Sequence, residues 1–353
     1  MVGRRPRPWV LAVVAVAVLA LAADVGAFVI GRSHRHTAAA PDPTQKNVLQ
    51  PENTVHVIDP KTGKDIGRIA VGAEPTAIRA AFGSVWVLNL GDGTVTRIDA
   101  KSRKVIRTMA PKDPANGIAL APNGVWLLEH PRKRSGADAL AALAATTFER
   151  IDPSTGMVAE RVKNASGALA LAAGGGMLWA YGRNGGGRDD VRADPKTGAF
   201  SVLPDPIYGD IIAADDHAVY IVTSLGARVQ RIDIATGKMT NSISLALLTD
   251  LIKGLVPPNP TDIAEGDDSI WLSQTDGTVL QIDLGVNGII RKIKACSSAL
   301  AIAYGDGYVW AACGDGTAVK IDPETGGVYP PIHVGGLPRG IAAGEGAVWV
   351  SVD

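Results

Sequence analysis

The chain contains the stretch Val85-Trp86-Val87-Leu88-Asn89-Leu90-Gly91-Asp92-Gly93-Thr94-Val95-Thr96-Arg97-Ile98-Asp99. It has the composition of two short β-strands joined by a tight turn, because Asp-Gly suits the type I′ turn of a β-hairpin. Variants of this phrase recur along the chain after residue 50. The stretch is therefore one copy of an internal repeat, which has to be recognised before the fold is assigned.

Three markers define the repeat, and each occurs seven times. The first is an aspartate, which follows an isoleucine in six copies; the second is an aromatic residue, 27 residues later in five copies; the third is an aliphatic residue eight positions before the aromatic. The aspartates are Asp59, Asp99, Asp152, Asp194, Asp233, Asp283 and Asp322. The aromatics are Trp86, Trp126, Trp179, Tyr220, Trp271, Trp310 and Trp349. The aliphatics are Ile78, Ile118, Leu171, Ile212, Ile263, Ile302 and Ile341. A period near 40 residues that contains only strand signals predicts β-propeller blades of four strands each.

The two ends of the repeat region supply complementary halves of one blade. The region begins with a third and an outer strand, at Val55 to Ile58 and Ile66 to Val71. It stops directly after an inner and a second strand, marked by Ile341 and Trp349. Joining these halves closes the ring and removes the free sheet edges that a broken ring would expose. The sequence therefore predicts an all-β, seven-bladed β-propeller over residues 51–353 with shared-blade closure.

Four of the seven repeated aspartates open turns of the form Asp-Pro-x-Thr-Gly, as in Asp59-Pro60-Lys61-Thr62-Gly63. Proline presets φ in such a turn, and glycine accepts a positive φ. Sevenfold repetition at a turn indicates that these aspartates serve the fold and are not active-site residues.

The first fifty residues have a different composition. Arg4, Arg5 and Arg7 precede an apolar run from Trp9 to Ile30, and about 20 apolar residues span a bilayer. The preceding arginines favour an N-terminus-inside orientation. We predict a cytoplasmic segment at 1–8, a single-pass transmembrane anchor at 9–31, a linker at 32–50 and an extracytoplasmic propeller.

A cleaved signal peptide ending near Ala20-Leu21-Ala22, which would release a secreted protein, is the main alternative to the anchor. A twin-arginine signal at Arg4-Arg5 is a third one. All three place the propeller outside the cytoplasm.

Lysine plus arginine and aspartate plus glutamate are balanced at 35 residues each. This balance argues against a nucleic-acid partner, which would require a basic face. Apart from His130, which follows Glu129, the histidines show no metal-ligand spacing. We therefore predict no cofactor and no metal site, and a divalent metal only if the protein is an enzyme.

The quoted stretch resembles the YncE/YVTN-type propellers and the streptogramin B (virginiamycin B) lyase group, and the resemblance covers about 300 residues. It implies the propeller fold but no single function, because such propellers bind many things. The lyase resemblance implies a Trp-Phe-Thr-Glu phrase, a His-Gly at the start of inner strands and a divalent metal. Here Trp126-Leu127-Leu128-Glu129 supplies the glutamate in one blade only, and the inner-strand starts have no histidine.

The two cysteines, Cys296 and Cys313, are expected at the adjoining ends of neighbouring strands in one blade. Outside the cytoplasm this placement favours a disulfide. Two free thiols, or a metal or redox role, are the alternatives.

The candidate binding residues are those that differ from the residues at the same position in the other blades. Arg79 stands one position after the aliphatic marker, where the other six blades have alanine, and Asp262 stands one position before it, where most blades have alanine or glycine. Both belong to inner strands, so they could hold a ligand in the central channel or pair with neighbouring backbone or water. The remaining candidates are Asn89 and Gln274, which end second strands, and Arg339, which starts an inner strand.

Glu129 and His130 precede the first of two insertions in the repeat. A Glu-His pair can hold a metal or act as acid and base, so these two residues are the weak catalytic candidates. The alternative is an exposed, charged loop. We expect a short helix at Ala137 to Phe148 in the first insertion. In the second, the leucine spacing at Ser244 to Val256 is helical and would either pack on the propeller or form a docking surface.

The sequence thus favours a membrane-anchored module that binds a protein, a glycan or a small ligand at one face of the ring. The alternative is a lyase-like or other metal-assisted enzyme with its site in the central funnel.

Overall fold

The computed structural model describes residues 53–130, 146–164, 168–182, 190–194, 200–203, 209, 211–223, 228–245 and 258–353. These residues form seven four-stranded sheets in which all neighbouring strands are antiparallel. The predicted seven-bladed β-propeller is confirmed. No helix among the described residues is long and apolar enough to cross a membrane. The segments 1–8, 9–31 and 32–50 lie outside the described residues.

The strands of each blade are as follows. Blade 1 contains β1 (Thr54–Asp59), β2 (Lys64–Ala70), β27 (Pro338–Gly344) and β28 (Ala347–Val352). Blade 2 contains β3 (Pro75–Ala81), β4 (Ser84–Asn89), β5 (Thr94–Asp99) and β6 (Lys104–Met109). Blade 3 contains β7 (Ala115–Ala121), β8 (Gly124–Glu129), β9 (Thr146–Ile151) and β10 (Val158–Asn164). Blade 4 contains β11 (Ala168–Gly174), β12 (Met177–Gly182), β13 (Asp190–Ala193) and β14 (Phe200–Val202). Blade 5 contains β15 (Ile211–Ala214), β16 (Ala218–Thr223), β17 (Arg228–Asp233) and β18 (Met239–Ser244). Blade 6 contains β19 (Pro260–Gly266), β20 (Ser269–Gln274), β21 (Thr278–Asp283) and β22 (Gly288–Lys294). Blade 7 contains β23 (Ala299–Gly305), β24 (Tyr308–Cys313), β25 (Thr317–Ile321) and β26 (Ile332–His333).

Blade 1 closes the ring with strands from both ends of the repeat region. Strand β1 pairs with β28 in antiparallel register, with Thr54 opposite Val352 and Ile58 opposite Val348. The order across this sheet is β2-β1-β28-β27. The shared-blade closure predicted from the sequence is therefore present.

The repeat markers form the contacts between blades. The aromatic residue of each blade packs in one apolar cluster with the aliphatic marker of the following blade, as Trp86 does with Ile118 and Trp349 with Ile78. The six tryptophans and Tyr220 are buried. Burial of large aromatic side chains contributes strongly to a core, so this recurring pair stabilises the ring at every interface. The sequence markers are thus core residues.

The repeated aspartates whose turns the structure describes, which are all but Asp194, lie in exposed turns. The Oδ1 of Asp59 accepts hydrogen bonds from the backbone N–H groups of Lys61 and Thr62, at 2.8 and 2.9 Å. The third strand of the preceding blade adds a cation to this turn: Lys320 donates from Nζ to the Pro60 carbonyl at 2.8 Å. Arg192 makes the equivalent contact with the Ile234 carbonyl at 3.1 Å. The aspartate turns therefore join neighbouring blades, as expected of fold residues.

Strand direction defines two faces of the ring. We call the face where inner strands begin and second strands end the entry face; Pro75 and Asn89 mark it in blade 2. The aspartate turns lie on the opposite face. Both insertions leave and re-enter the ring at the entry face, because one follows the second strand of blade 3 and the other follows the outer strand of blade 5.

The expected helix at Ala137 to Phe148 is wrong at its end, because Thr146 to Phe148 belong to strand β9 and pair with β8. Residues 131–145 lie outside the described residues. In the second insertion Ser244 ends strand β18 and Leu245 is buried, while residues 246–257 lie outside the described residues.

Candidate functional site

The central channel is lined by three consecutive residues of each inner strand, starting at the aliphatic marker. It encloses a cavity of about 390 Å³. Alanine dominates the layer one residue after the marker, because small side chains let seven strands converge. The alanines of this layer are Ala119, Ala172, Ala213, Ala264, Ala303 and Ala342.

Arg79 is the seventh member of this layer and comes from blade 2. Its side chain is exposed, and its Nη1 donates to the carbonyl of Ile78 at 3.0 Å. Among the described residues no carboxylate lies within 4.0 Å of the guanidinium. Arg79 thus presents unused donors to the cavity.

Asp262 lines the same cavity from blade 6. Its Oδ1 accepts a hydrogen bond from the N–H of Ile263 at 2.9 Å, and its Oδ2 accepts one from the N–H of Ile302 in blade 7 at 3.0 Å. Burial raises the pKa of this carboxyl, while Arg79 and the two backbone donors act in the opposite direction. Asp262 therefore ties blade 6 to blade 7 and places a carboxyl group on the channel wall.

Glu265 is a channel residue that the sequence analysis missed. It lies two positions after the marker of blade 6, closer to the face opposite the entry face. Burial and the nearby Asp215 raise the pKa of Glu265 to about 7, and Arg79 lowers it. The same comparison of blades that revealed Arg79 could have found it, since the other blades have alanine, leucine or tyrosine at this position: Ala80, Leu120, Ala173, Ala214, Tyr304 and Ala343.

The other three candidate binding residues do not line the cavity. Asn89 is buried and donates from Nδ2 to the hydroxyls of Thr94 and Thr96, both at 2.9 Å. Gln274 is buried and donates to the Pro258 carbonyl at 3.1 Å. Arg339 is exposed at the entry face, where its guanidinium lies 3.4 Å from the Asp353 carboxylate.

Glu129 lies inside blade 3 rather than in the channel. Its side chain is 1% exposed, and neither carboxylate oxygen has a hydrogen-bond partner among the described residues. It lies beside the carboxyl of Glu149, also 1% exposed, which forms an ion pair with Arg161. Burial and the neighbouring Glu149 raise the pKa of Glu129 to about 8. The Glu129 carboxyl is therefore protonated at neutral pH.

The structure separates His130 from Glu129. Successive residues of an extended chain point to opposite sides, and the His130 ring makes a hydrogen bond to the backbone of Ala168 in blade 4. Its Nε2 is buried without a hydrogen-bond partner among the described residues, and burial lowers its pKa. The two residues predicted as an acid–base pair therefore face different blades.

Cys296 and Cys313 form a disulfide, with their Cα atoms 6.3 Å apart. Cys313 ends strand β24, and Cys296 lies just before β23 of the same blade. The bond fixes the connection from blade 6 to blade 7 at the entry face. Within the described residues no group of three His, Cys, Asp or Glu side chains is placed to hold a metal ion.

Comparisons with known proteins identify the fold alone. No family model matches the chain, and no curated protein matches it. Among solved structures, the computationally designed Ika8 protein superposes with a TM-score of 0.56 at 17% sequence identity, over 86% of this chain and 91% of that chain. This likeness supports the propeller architecture and carries no function.

Proposed function

We propose that the chain is a membrane-tethered, extracytoplasmic binding module that holds a small polar ligand in the central channel of its propeller. The observation that carries the proposal is the set of ionisable groups in a cavity whose other side chains are aliphatic, apart from Tyr304. Arg79 enters from blade 2, and Asp262 and Glu265 enter from blade 6. Concave sites with a few convergent polar groups are the usual form of ligand pockets.

Two features support the tether and the compartment. Residues 9–31 have the length and the preceding arginines of a signal-anchor. The disulfide between Cys296 and Cys313 is of the kind that persists in oxidising environments outside the cytoplasm.

The lyase-like alternative has no comparable support. It would require Glu129 and His130 to converge at the channel, but Glu129 lies beside Glu149 within blade 3, and His130 contacts blade 4. Neither residue lines the cavity. We therefore favour binding without catalysis.

The proposal is tested by blocking the channel. Ala213→Phe places a large side chain in the layer of Arg79, a layer that already admits a long side chain in blade 2. The full-length protein and the variant are dialysed against a library of small polar compounds, and retained compounds are quantified by mass spectrometry. We expect at least one compound to be retained by the wild type and not by Ala213→Phe.

Ala70→Phe is the matched control, because Ala70 is exposed on the outer strand β2, far from the cavity. It should retain the same compounds as the wild type. If no compound is retained, or if Ala213→Phe retains all of them, the channel-binding function is wrong.

A further inference from the structure

The charges of the channel are placed on opposing walls. Arg79 belongs to blade 2, whereas Asp262 and Glu265 belong to blade 6. In a ring of seven blades, blades 2 and 6 are separated by two blades on one side and by three on the other. Blades 2 and 6 therefore face each other across the cavity. The guanidinium makes no ion pair within 4.0 Å among the described residues. The space between the opposite charges is therefore open.

The two acids of blade 6 have different bonding capacity. Both oxygens of Asp262 already accept backbone N–H groups. Glu265 lies three residues further along the same strand, about 10 Å along the channel at the usual rise per residue. No described residue donates a hydrogen bond to Glu265, so its carboxylate is the acceptor that remains available to a ligand.

Arg79 and Glu265 offer complementary groups. The guanidinium has five N–H donors, of which one is used by the Ile78 carbonyl, and its planar fork matches a carboxylate. A half-buried carboxylate with no donor suits an ammonium group. Arg79 comes one residue after its marker and Glu265 two residues after its own, so the two groups lie in adjacent layers of the channel.

Charge balance decides between classes of ligand. A ligand that is only an anion would lose its hydration beside the carboxylate of Glu265, and a ligand that is only a cation would lose its hydration beside Arg79. Removing a charge from water is costly unless an opposite charge compensates it. A ligand that carries both charges meets an opposite charge at each end.

From this placement, and on the premise that the channel binds a ligand as proposed above, we infer that the ligand is a small zwitterion with a carboxylate held by Arg79 and an ammonium held by Glu265. The cavity of about 390 Å³ accommodates a molecule of amino-acid size. The aliphatic side chains of the channel wall would contact its carbon skeleton.

The test measures the affinity of the full-length protein for three zwitterions of increasing length, which are glycine, β-alanine and 4-aminobutyrate, by isothermal titration calorimetry. Acetate and ethylammonium are the single-charge probes. We expect at least one zwitterion to bind at least about tenfold more tightly than either single-charge probe, the effect of one charged hydrogen bond. Arg79→Met and Glu265→Gln should each lower the affinity for that zwitterion by about tenfold or more.

The pH dependence provides a second readout. Because the pKa of Glu265 is raised to about 7 by burial and by Asp215, its carboxylate becomes ionised as the pH rises from 6 to 8. Zwitterion affinity should increase over that range in the wild type and stay flat in Glu265→Gln.

The outcomes separate this inference from the proposed function. If the three zwitterions do not bind, or bind no better than acetate and ethylammonium, the zwitterion assignment is overturned. If the library compounds released by Ala213→Phe carry a single charge or none, the channel still binds ligands and only the assignment fails. If no compound responds to Ala213→Phe, both fail.

Discussion

Blades 2 and 3 place a polar residue at the same position, and they accommodate it differently. Asn89 and Glu129 are the last residues of their second strands. In blade 2 the Asn89 amide donates to Thr94 and Thr96, and the Thr96 hydroxyl lies 3.2 Å from that of Thr108. We call this row the neutral ladder.

The strand register of blade 3 replaces the neutral ladder with charged groups. Thr147 is opposite Glu129, as Thr94 is opposite Asn89. Glu149 occupies the place of Thr96, and Arg161 that of Thr108. We call this row the acidic ladder. The Glu129 side chain has no hydrogen-bond partner among the described residues, so the row depends on one arginine and one proton.

The difference teaches that a strongly raised pKa does not by itself mark a functional site. Burial and a neighbouring acid raise the pKa of Glu129 to about 8, in a position with 1% exposure. Burial also raises the pKa of Glu265, to about 7, but that carboxyl lines an open cavity. Only Glu265 is accessible to a ligand, because it lines a cavity. A carboxyl with a perturbed pKa can equally belong to a structural network, as Glu129 does.

The largest expected effect comes from Arg161→Met, which removes the cation from the acidic ladder. Arg161 itself is 35% exposed, but the Glu149 carboxylate that would lose its counter-ion is 1% exposed. Leaving a buried charge uncompensated in this way costs about 3 kcal/mol. Urea unfolding at pH 7 measures the loss of stability.

Arg107→Met is the control for loss of an arginine, because Arg107 is exposed on the outer strand β6 of blade 2 and forms no ion pair within 4.0 Å in the described part of the chain. It should change stability by less than about 0.5 kcal/mol. Equal losses in the two variants would show that the acidic ladder does not depend on Arg161.

A similar effect is expected at the corresponding position of blade 7, where Cys313 takes the place of Glu129 and is bonded to Cys296. The sequence separation of 17 residues corresponds to about 3 kcal/mol in the loop-entropy account. Changing both cysteines to alanine should lower the free energy of unfolding by about this amount. The variant should also be insensitive to a thiol reductant, whereas the reductant should destabilise the wild type. Two free thiols in the unreduced wild type would contradict the bond.

Much of this comparison could be predicted from the sequence, and the rest depends on strand register. The markers fixed the blades and the closure, because each aromatic must pack on the next aliphatic. The insertion at residues 131–145 hides the pairing of Glu129 with Glu149 from the spacing along the chain. Counting back from the aspartate marker reveals it, because Glu149 stands three residues before Asp152, as Thr96 stands three residues before Asp99. Glu129 and His130 were expected together because they are adjacent in sequence, but consecutive residues of an extended chain point to opposite sides.

A smaller effect is expected from Glu129→Gln, which should remove a pH dependence from the free energy of unfolding. The pKa of Glu129 is about 8 in the folded protein against an ordinary value of 4.5, so the folded state binds a proton that the unfolded state releases between these values. The free energy of unfolding therefore falls as the pH rises through this window, by about 2–3 kcal/mol between pH 5 and pH 7.

The glutamine variant cannot ionise, so this slope should be absent from its unfolding data collected at pH 5, 6 and 7. The difference between the wild-type and variant curves isolates Glu129 from the other carboxyls. Asn89→Asp is the reverse exchange and should introduce a slope of the same sign in blade 2. Parallel curves for wild type and Glu129→Gln would show that Glu129 is ionised in the folded protein.

The smallest effect is expected from Thr108→Val in the neutral ladder. Thr108 is exposed, and among the described residues its hydroxyl forms a hydrogen bond only with that of Thr96, which still receives the Asn89 amide. Loss of one such hydrogen bond at the surface costs about 0.5–1 kcal/mol, and valine suits a strand at least as well as threonine. Urea unfolding should therefore place this variant close to the wild type at every pH. A loss as large as that of Arg161→Met would mean that the outer residue is equally important in both blades, and the contrast between the neutral and the acidic ladder would disappear.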